Sequence, residues 1–171
     1  MKNKSTDFCF KSLSDVGEIS GYLNVFNVKD YAGDITLPGA FNASLQALKG
    51  RKLPMLYQHK TDEPIGVWEE LREDSHGLYA VGKLNLEVTR GREAYALAKQ
   101  GALTGISIGY TVDDESYDRN QGANLLKVVT LKEASLVTFP ANDESRVDDV
   151  KCDHGLIEQM MNEIHDMLKA A

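Results

Sequence analysis

A β-barrel core with flanking helices, followed by a C-terminal amphipathic helix, is the fold class this sequence predicts. Three observations point to it. Short extended stretches recur along the chain with turn chemistry between them. Only two helical stretches interrupt them, too few for the alternating strands and helices of a doubly wound parallel sheet. The tail then carries Leu156, Ile157, Met160, Met161, Ile164, Met167 and Leu168 as one apolar stripe at helical spacing.

In order, residues 18–29 read as extended, with Ile19, Tyr22, Val25, Phe26 and Val28. Residues 30–34 (Asp30-Tyr31-Ala32-Gly33-Asp34) supply a turn. Pro38 precedes a short helix with Phe41, Leu45 and Leu48 at i, i+4, i+7. Strands are expected over 53–59, 65–72 and 78–86, the first two separated by Asp62-Glu63-Pro64 after a polar loop 60–63, and the third set off by the polar run 74–77. Ala94, Leu97 and Ala98 give 88–100 a helical period, with Gly101 as its C-cap. Residues 106–112 and 125–139 read as strands joined by a polar loop over 113–122. The polar run 142–151 is expected to link the barrel to the terminal helix, so the division is a barrel domain over 1–142, then the polar link and the terminal helix over 143–171.

The 171 residues suit one domain, and 42% hydrophobic with 26% charged is a globular composition. No apolar run approaches the roughly 18 residues of a membrane span, and no apolar core follows the basic N-terminus, so neither a membrane nor a secretory signal is expected. A formal net charge of −7 without a basic stripe argues against nucleic acid. Cys9 and Cys152 form no disulfide framework, and Cys152-Asp153-His154 lacks a second ligand pair at zinc spacing. No metal or other cofactor is expected, and the compartment should be a reducing one.

The chemistry concentrates around Gly105-Ile106-Ser107-Ile108-Gly109-Tyr110. In a strand, Ile106, Ile108, Tyr110 and Val112 share one face, which must be the core. Ser107 then points to the other face, between two glycines that leave room for another backbone to approach. The run also fits G-x-S-x-G, but a nucleophile elbow needs a strand, a sharp turn and then a helix. Here a strand continues past the serine and the helical stretch precedes it. By position alone Ser107 is equally a small polar residue on a strand's outer face, since a serine needs a base to become a nucleophile.

Four histidines are candidates for that base. His154 and His165 lie in the tail, and His76 sits in the turn 74–77. His59 ends an apolar strand, held by a rigid element and open to a cleft, although a structural histidine fits that place as well. On the strand towards Phe139, Leu131, Glu133, Ser135 and Val137 share one face by alternation. Glu133 thus falls among apolar residues, where a carboxylate needs a partner. A histidine would serve, and so would a structural hydrogen bond.

Several ordered stretches resemble the prohead (capsid maturation) proteases of tailed bacteriophages, a family similar in fold to the herpesvirus assembly proteases. They are Asp30-x-x-Gly33 with Pro38-Gly39-Ala40-Phe41-x-x-Ser44-Leu45, then Pro54-x-Leu56-x-x-His59, Pro64-Ile65-Gly66 and Gly77-Leu78. The serine run and Glu133-Ala134-Ser135-Leu136-Val137-Thr138-Phe139-Pro140-Ala141-Asn142 complete the set.

The resemblance implies a serine endopeptidase on a β-barrel with Ser107 as nucleophile, His59 as general base and Glu133 orienting the histidine. Herpesvirus relatives use a second histidine in that third place. The resemblance also implies a substrate, the major capsid protein's scaffolding segment or a separate scaffold protein, cut within the immature procapsid in the host cytoplasm. Self-cleavage is implied too. The tail after Asn142 matches no part of the pattern, which leaves truncation or self-processing as an expectation. Its apolar stripe needs a cover, the barrel or another subunit, so a homo-oligomer is a further expectation. Two other functions compete: a non-catalytic capsid assembly or scaffolding module, and an unrelated G-x-S-x-G esterase.

Overall fold

The computed structural model describes residues 17–150. The stretch expected as a terminal helix, with Cys9, Cys152, His154 and His165, therefore lies outside the described residues. Eight strands and two helices follow one another: β1 Glu18–Val25, β2 Asp34–Thr36, α1 Asn42–Leu48, β3 Leu53–Tyr57, β4 Lys60–Glu73, β5 Gly77–Leu84, α2 Thr89–Gln100, β6 Gly105–Asp118, β7 Ala123–Val137 and β8 Val147–Val150. The sheet runs β2-β7-β3-β4-β5-β1-β8, with β6 on the other edge of β7. β2 and β3 both lie parallel to β7, and the remaining pairs are antiparallel. The result is a mostly β half-barrel with two helices. Among the described residues, no helix is long and apolar enough to cross a membrane.

The apolar faces named from the sequence fill the interior. Trp68, Phe41, Ile19, Leu53, Met55 and Ile106 are all but inaccessible. The indole N–H of Trp68 donates to Ala134 O at 3.0 Å, so its one polar group is satisfied inside the core. α2 ends at Gly101, whose N–H reaches back to Ala98 O and Leu97 O.

Three expectations change. The polar stretch 113–122 is mostly strand, because β6 continues as far as Asp118, paired with the first half of β7 from Ala123. The β6 half of that pair is largely exposed and carries no apolar alternation to read, whereas Ala123, Leu126 and Val129 of β7 are buried. The polar run 60–63 likewise opens β4, and the chain reverses in the two residues Gln58 and His59, since Tyr57 pairs with Lys60.

The run 142–151, expected as a link, holds β8 on β1. Just before it, Ile106 N–H donates to Ser145 O and Val147 N–H to Thr104 O, both at 2.9 Å. Residues 145–147 thus bridge β1 and the start of β6 across the open side of the half-barrel. Backbone bonding needs no apolar side chains, so this closure leaves little trace in hydropathy.

Candidate active site

The expected core face of β6 holds in part: Ile106, Ile108, Tyr110 and Val112 lie opposite Leu136, Ala134, Leu131 and Val129 of β7, but only Ile106 is fully buried, Ile108 and Tyr110 pack partly against the core, and Val112 is exposed. That pairing skips one residue. Gly109 faces Glu133 while Tyr110 faces Leu131, so Lys132 is the extra residue of a β-bulge. Leu131 and Val129 therefore belong to the core with Ala134 and Leu136, and Glu133 turns to the other side. The alternation that placed Glu133 among core residues is overturned at this bulge. The ladder is interrupted there, and the Leu131 N–H goes to the Ser44 hydroxyl of α1 at 2.8 Å instead.

On the other side Ser107 lies directly opposite Ser135, with Glu133 opposite Gly109. Cross-strand neighbours of this kind hold their Cβ atoms about 4.5–5.5 Å apart. The glycines do not leave a bare surface, as the sequence suggested. A Cβ on Gly109 would lie 2.5 Å from Glu133 Oε1, and one on Gly105 would lie 2.7 Å from the Pro140 ring. The space freed by each glycine is taken by a neighbouring side chain. Ser107 consequently sits in a recess, only 9% exposed.

His59 reaches this recess from the β3–β4 turn. Gln58 and His59 both have positive φ, 54° and 59°, as a two-residue type I′ hairpin requires. Neither is the glycine, asparagine or aspartate that marks such turns in a sequence, and each non-glycine residue costs about 1–2 kcal/mol there. β7 offsets that strain. Gln58 N–H donates to Leu136 O at 3.0 Å, and the Gln58 amide donates from Nε2 to Thr138 Oγ1 at 2.9 Å. His59 N–H donates to Ser135 Oγ at 3.1 Å.

The ring is held as well: His59 Nδ1 lies 2.8 Å from Glu133 Oε1. This bond raises the imidazole pKa above its ordinary value, against the lowering effect of partial burial. The second carboxylate oxygen, Oε2, accepts from Ser135 Oγ at 2.6 Å. With Nδ1 turned to a carboxylate, Nε2 is the nitrogen left to exchange a proton with a nucleophile.

The structure therefore brings His59 and Glu133 into contact and sets Ser107 one strand away, across from the serine that touches both. His76 takes no part: it lies in the turn at the far end of β4, its ring edge-on to Tyr22 at 4.5 Å. Ser135, Gln58 and Thr138 were missed as contributors to the site. For Ser135 the available signal was its place two residues from Glu133, on the same side of a strand. Other motif residues have structural work. Asp30 accepts the N–H groups of Ala32 and Asp34, and Glu73 accepts those of Gly39 and Phe41.

Comparison with known proteins bears on what such a site does. The sequence profile of a family described as Caudovirus prohead serine protease matches residues 5–161. The prohead protease of Enterobacteria phage HK97 is 36% identical over 153 residues, covering 88% of this chain and 68% of that protein. The KSHV protease, solved with a hexapeptide phosphonate inhibitor, has a similar fold with a TM-score of 0.53 at 14% identity, covering 76% of this chain and 63% of that one. The bacteriophage T4 capsid assembly protease does too, with a TM-score of 0.51 at 13% identity over 71% of this chain and 83% of that one.

Proposed function

Because the chain belongs to the caudovirus prohead serine protease family, we propose that it is the endopeptidase of phage prohead maturation, with Ser107 as nucleophile, His59 as general base and Glu133 as the group that orients the base. The single observation that carries these assignments is the 2.8 Å contact between His59 Nδ1 and Glu133 Oε1 beside the Ser107 strand. A carboxylate on Nδ1 fixes the tautomer and stabilises the imidazolium that forms when Nε2 takes a proton.

The Ser107 oxygen attacks a peptide carbonyl as its proton passes to His59. The imidazolium then protonates the leaving amine, and water, activated by the same histidine, hydrolyses the acyl-enzyme. The substrate class follows from the family: the scaffolding segment of the major capsid protein or a separate scaffold protein, and the protease chain itself, cut inside the immature shell in the host.

Co-expression with the cognate capsid protein tests this. Ser107→Ala and His59→Ala should each abolish capsid-protein trimming and self-processing while the chain still folds. Unchanged trimming in Ser107→Ala would sink the nucleophile assignment. Cleavage of small esters with no action on capsid protein would favour the esterase instead.

A further inference from the structure

We propose that Ser135 is a positioning residue for the hydrolysis, its hydroxyl locking the base and its carboxylate partner into one arrangement beside Ser107. This rests on the assignment of Ser107, His59 and Glu133 above, and it concerns a residue that touches no substrate.

The argument is one of hydrogen-bond accounting. A serine hydroxyl has one proton to donate and lone pairs to accept with. Ser135 gives its proton to Glu133 Oε2 at 2.6 Å and accepts the His59 N–H at 3.1 Å. One side chain thus holds the backbone of the base and the far oxygen of the carboxylate whose near oxygen, Oε1, meets the imidazole. The three residues close a ring: the His59 N–H donates to Ser135, and both the Ser135 hydroxyl and the His59 ring donate to Glu133.

Its position makes the lock rigid. Ser135 lies in the middle of β7, paired on one side with Ser107 of β6 and on the other with Leu56 of β3. It has no exposed surface. Its proton is committed to a carboxylate, so although it is a serine in the same recess, it is shielded from substrate and is not a second nucleophile. The bond to His59 also answers a local need, because His59 holds a left-handed backbone conformation that few side chains adopt unaided. Without the hydroxyl, the carboxylate can swing away from the imidazole and the turn can relax.

The test uses the full chain and a small fluorophosphonate. Its phosphorus is attacked by an activated serine oxygen, fluoride leaves, and the serine proton goes to the base. Ser135→Ala should react at Ser107 at least tenfold more slowly than wild type while keeping a cooperative thermal unfolding transition. Ser135→Cys, which keeps the volume and weakens the donor, should also be slowed. It is the variant to read should Ser135→Ala fail to fold.

A double-mutant cycle separates positioning from mere packing. In a Glu133→Ala background, Ser135→Ala should cost threefold or less. An equal penalty in both backgrounds would overturn the proposal, because Ser135 would then act independently of the carboxylate. The His59 imidazole, followed by NMR, should titrate lower in Ser135→Ala than in wild type as its contact with Glu133 loosens. An unchanged titration together with an unchanged reaction rate would also overturn it. Failure of the wild type itself to react at Ser107 would count against the nucleophile, and the His59 titration alone would then decide the role of Ser135.

Discussion

At the scale of single residues, the contact between His59 and Glu133 has a sign that can be measured. The hydrogen bond that the imidazole gives to Glu133 holds its pKa above the ordinary value of about 6.5. A general base works in its neutral form, so the acid limb of kcat/KM should lie above that value. Glu133→Gln should bring the limb down towards it and cut the rate by about 10²-fold or more. A pH profile of peptide hydrolysis checks both effects, and an unmoved limb would mean that another group controls the base. The proposed nucleophile and base, Ser107 and His59, were singled out in the sequence by position and pattern. Their surroundings were not: alternation placed Ser107 on a bare outer face, whereas Glu133 and Pro140 occupy the glycine spaces beside it and leave a recess.

Among elements, the site depends on two irregularities of otherwise regular strands. The bulge at Lys132 turns Glu133 out of the core, and the Gln58–His59 turn brings the base back along β7. Neither could be read from the chain, because a bulge leaves no compositional mark and this turn lacks the residues that usually announce one. Gly109 is the third part of the arrangement. Its missing Cβ is what lets the Glu133 carboxylate lie across β6. Gly109→Ala should displace that carboxylate and lower the hydrolysis rate about as far as Glu133→Gln does, with the fold retained. Measured side by side with a thermal melt, a Gly109→Ala rate equal to wild type would show that the carboxylate needs no such clearance.

For the whole molecule, the half-barrel was legible in outline because its strands alternate and its core residues recur, while its closure by residues 145–147 and the exposed far half of β6 were not. Stability and activity should run in opposite directions with pH. Since the His59 pKa is raised by folding, its contribution to stability is complete below the unfolded value and is lost as pH rises through the folded one. Urea unfolding midpoints should therefore fall across neutral pH, where activity rises, and Glu133→Gln should flatten that fall. The central claim, that this recess activates Ser107, is tested most directly by treating the intact protein with a fluorophosphonate and mapping the modified residue by mass spectrometry. The account predicts one adduct, on Ser107, lost in His59→Ala. An adduct on Ser135 or another serine, or an undiminished Ser107 adduct in His59→Ala, would contradict it.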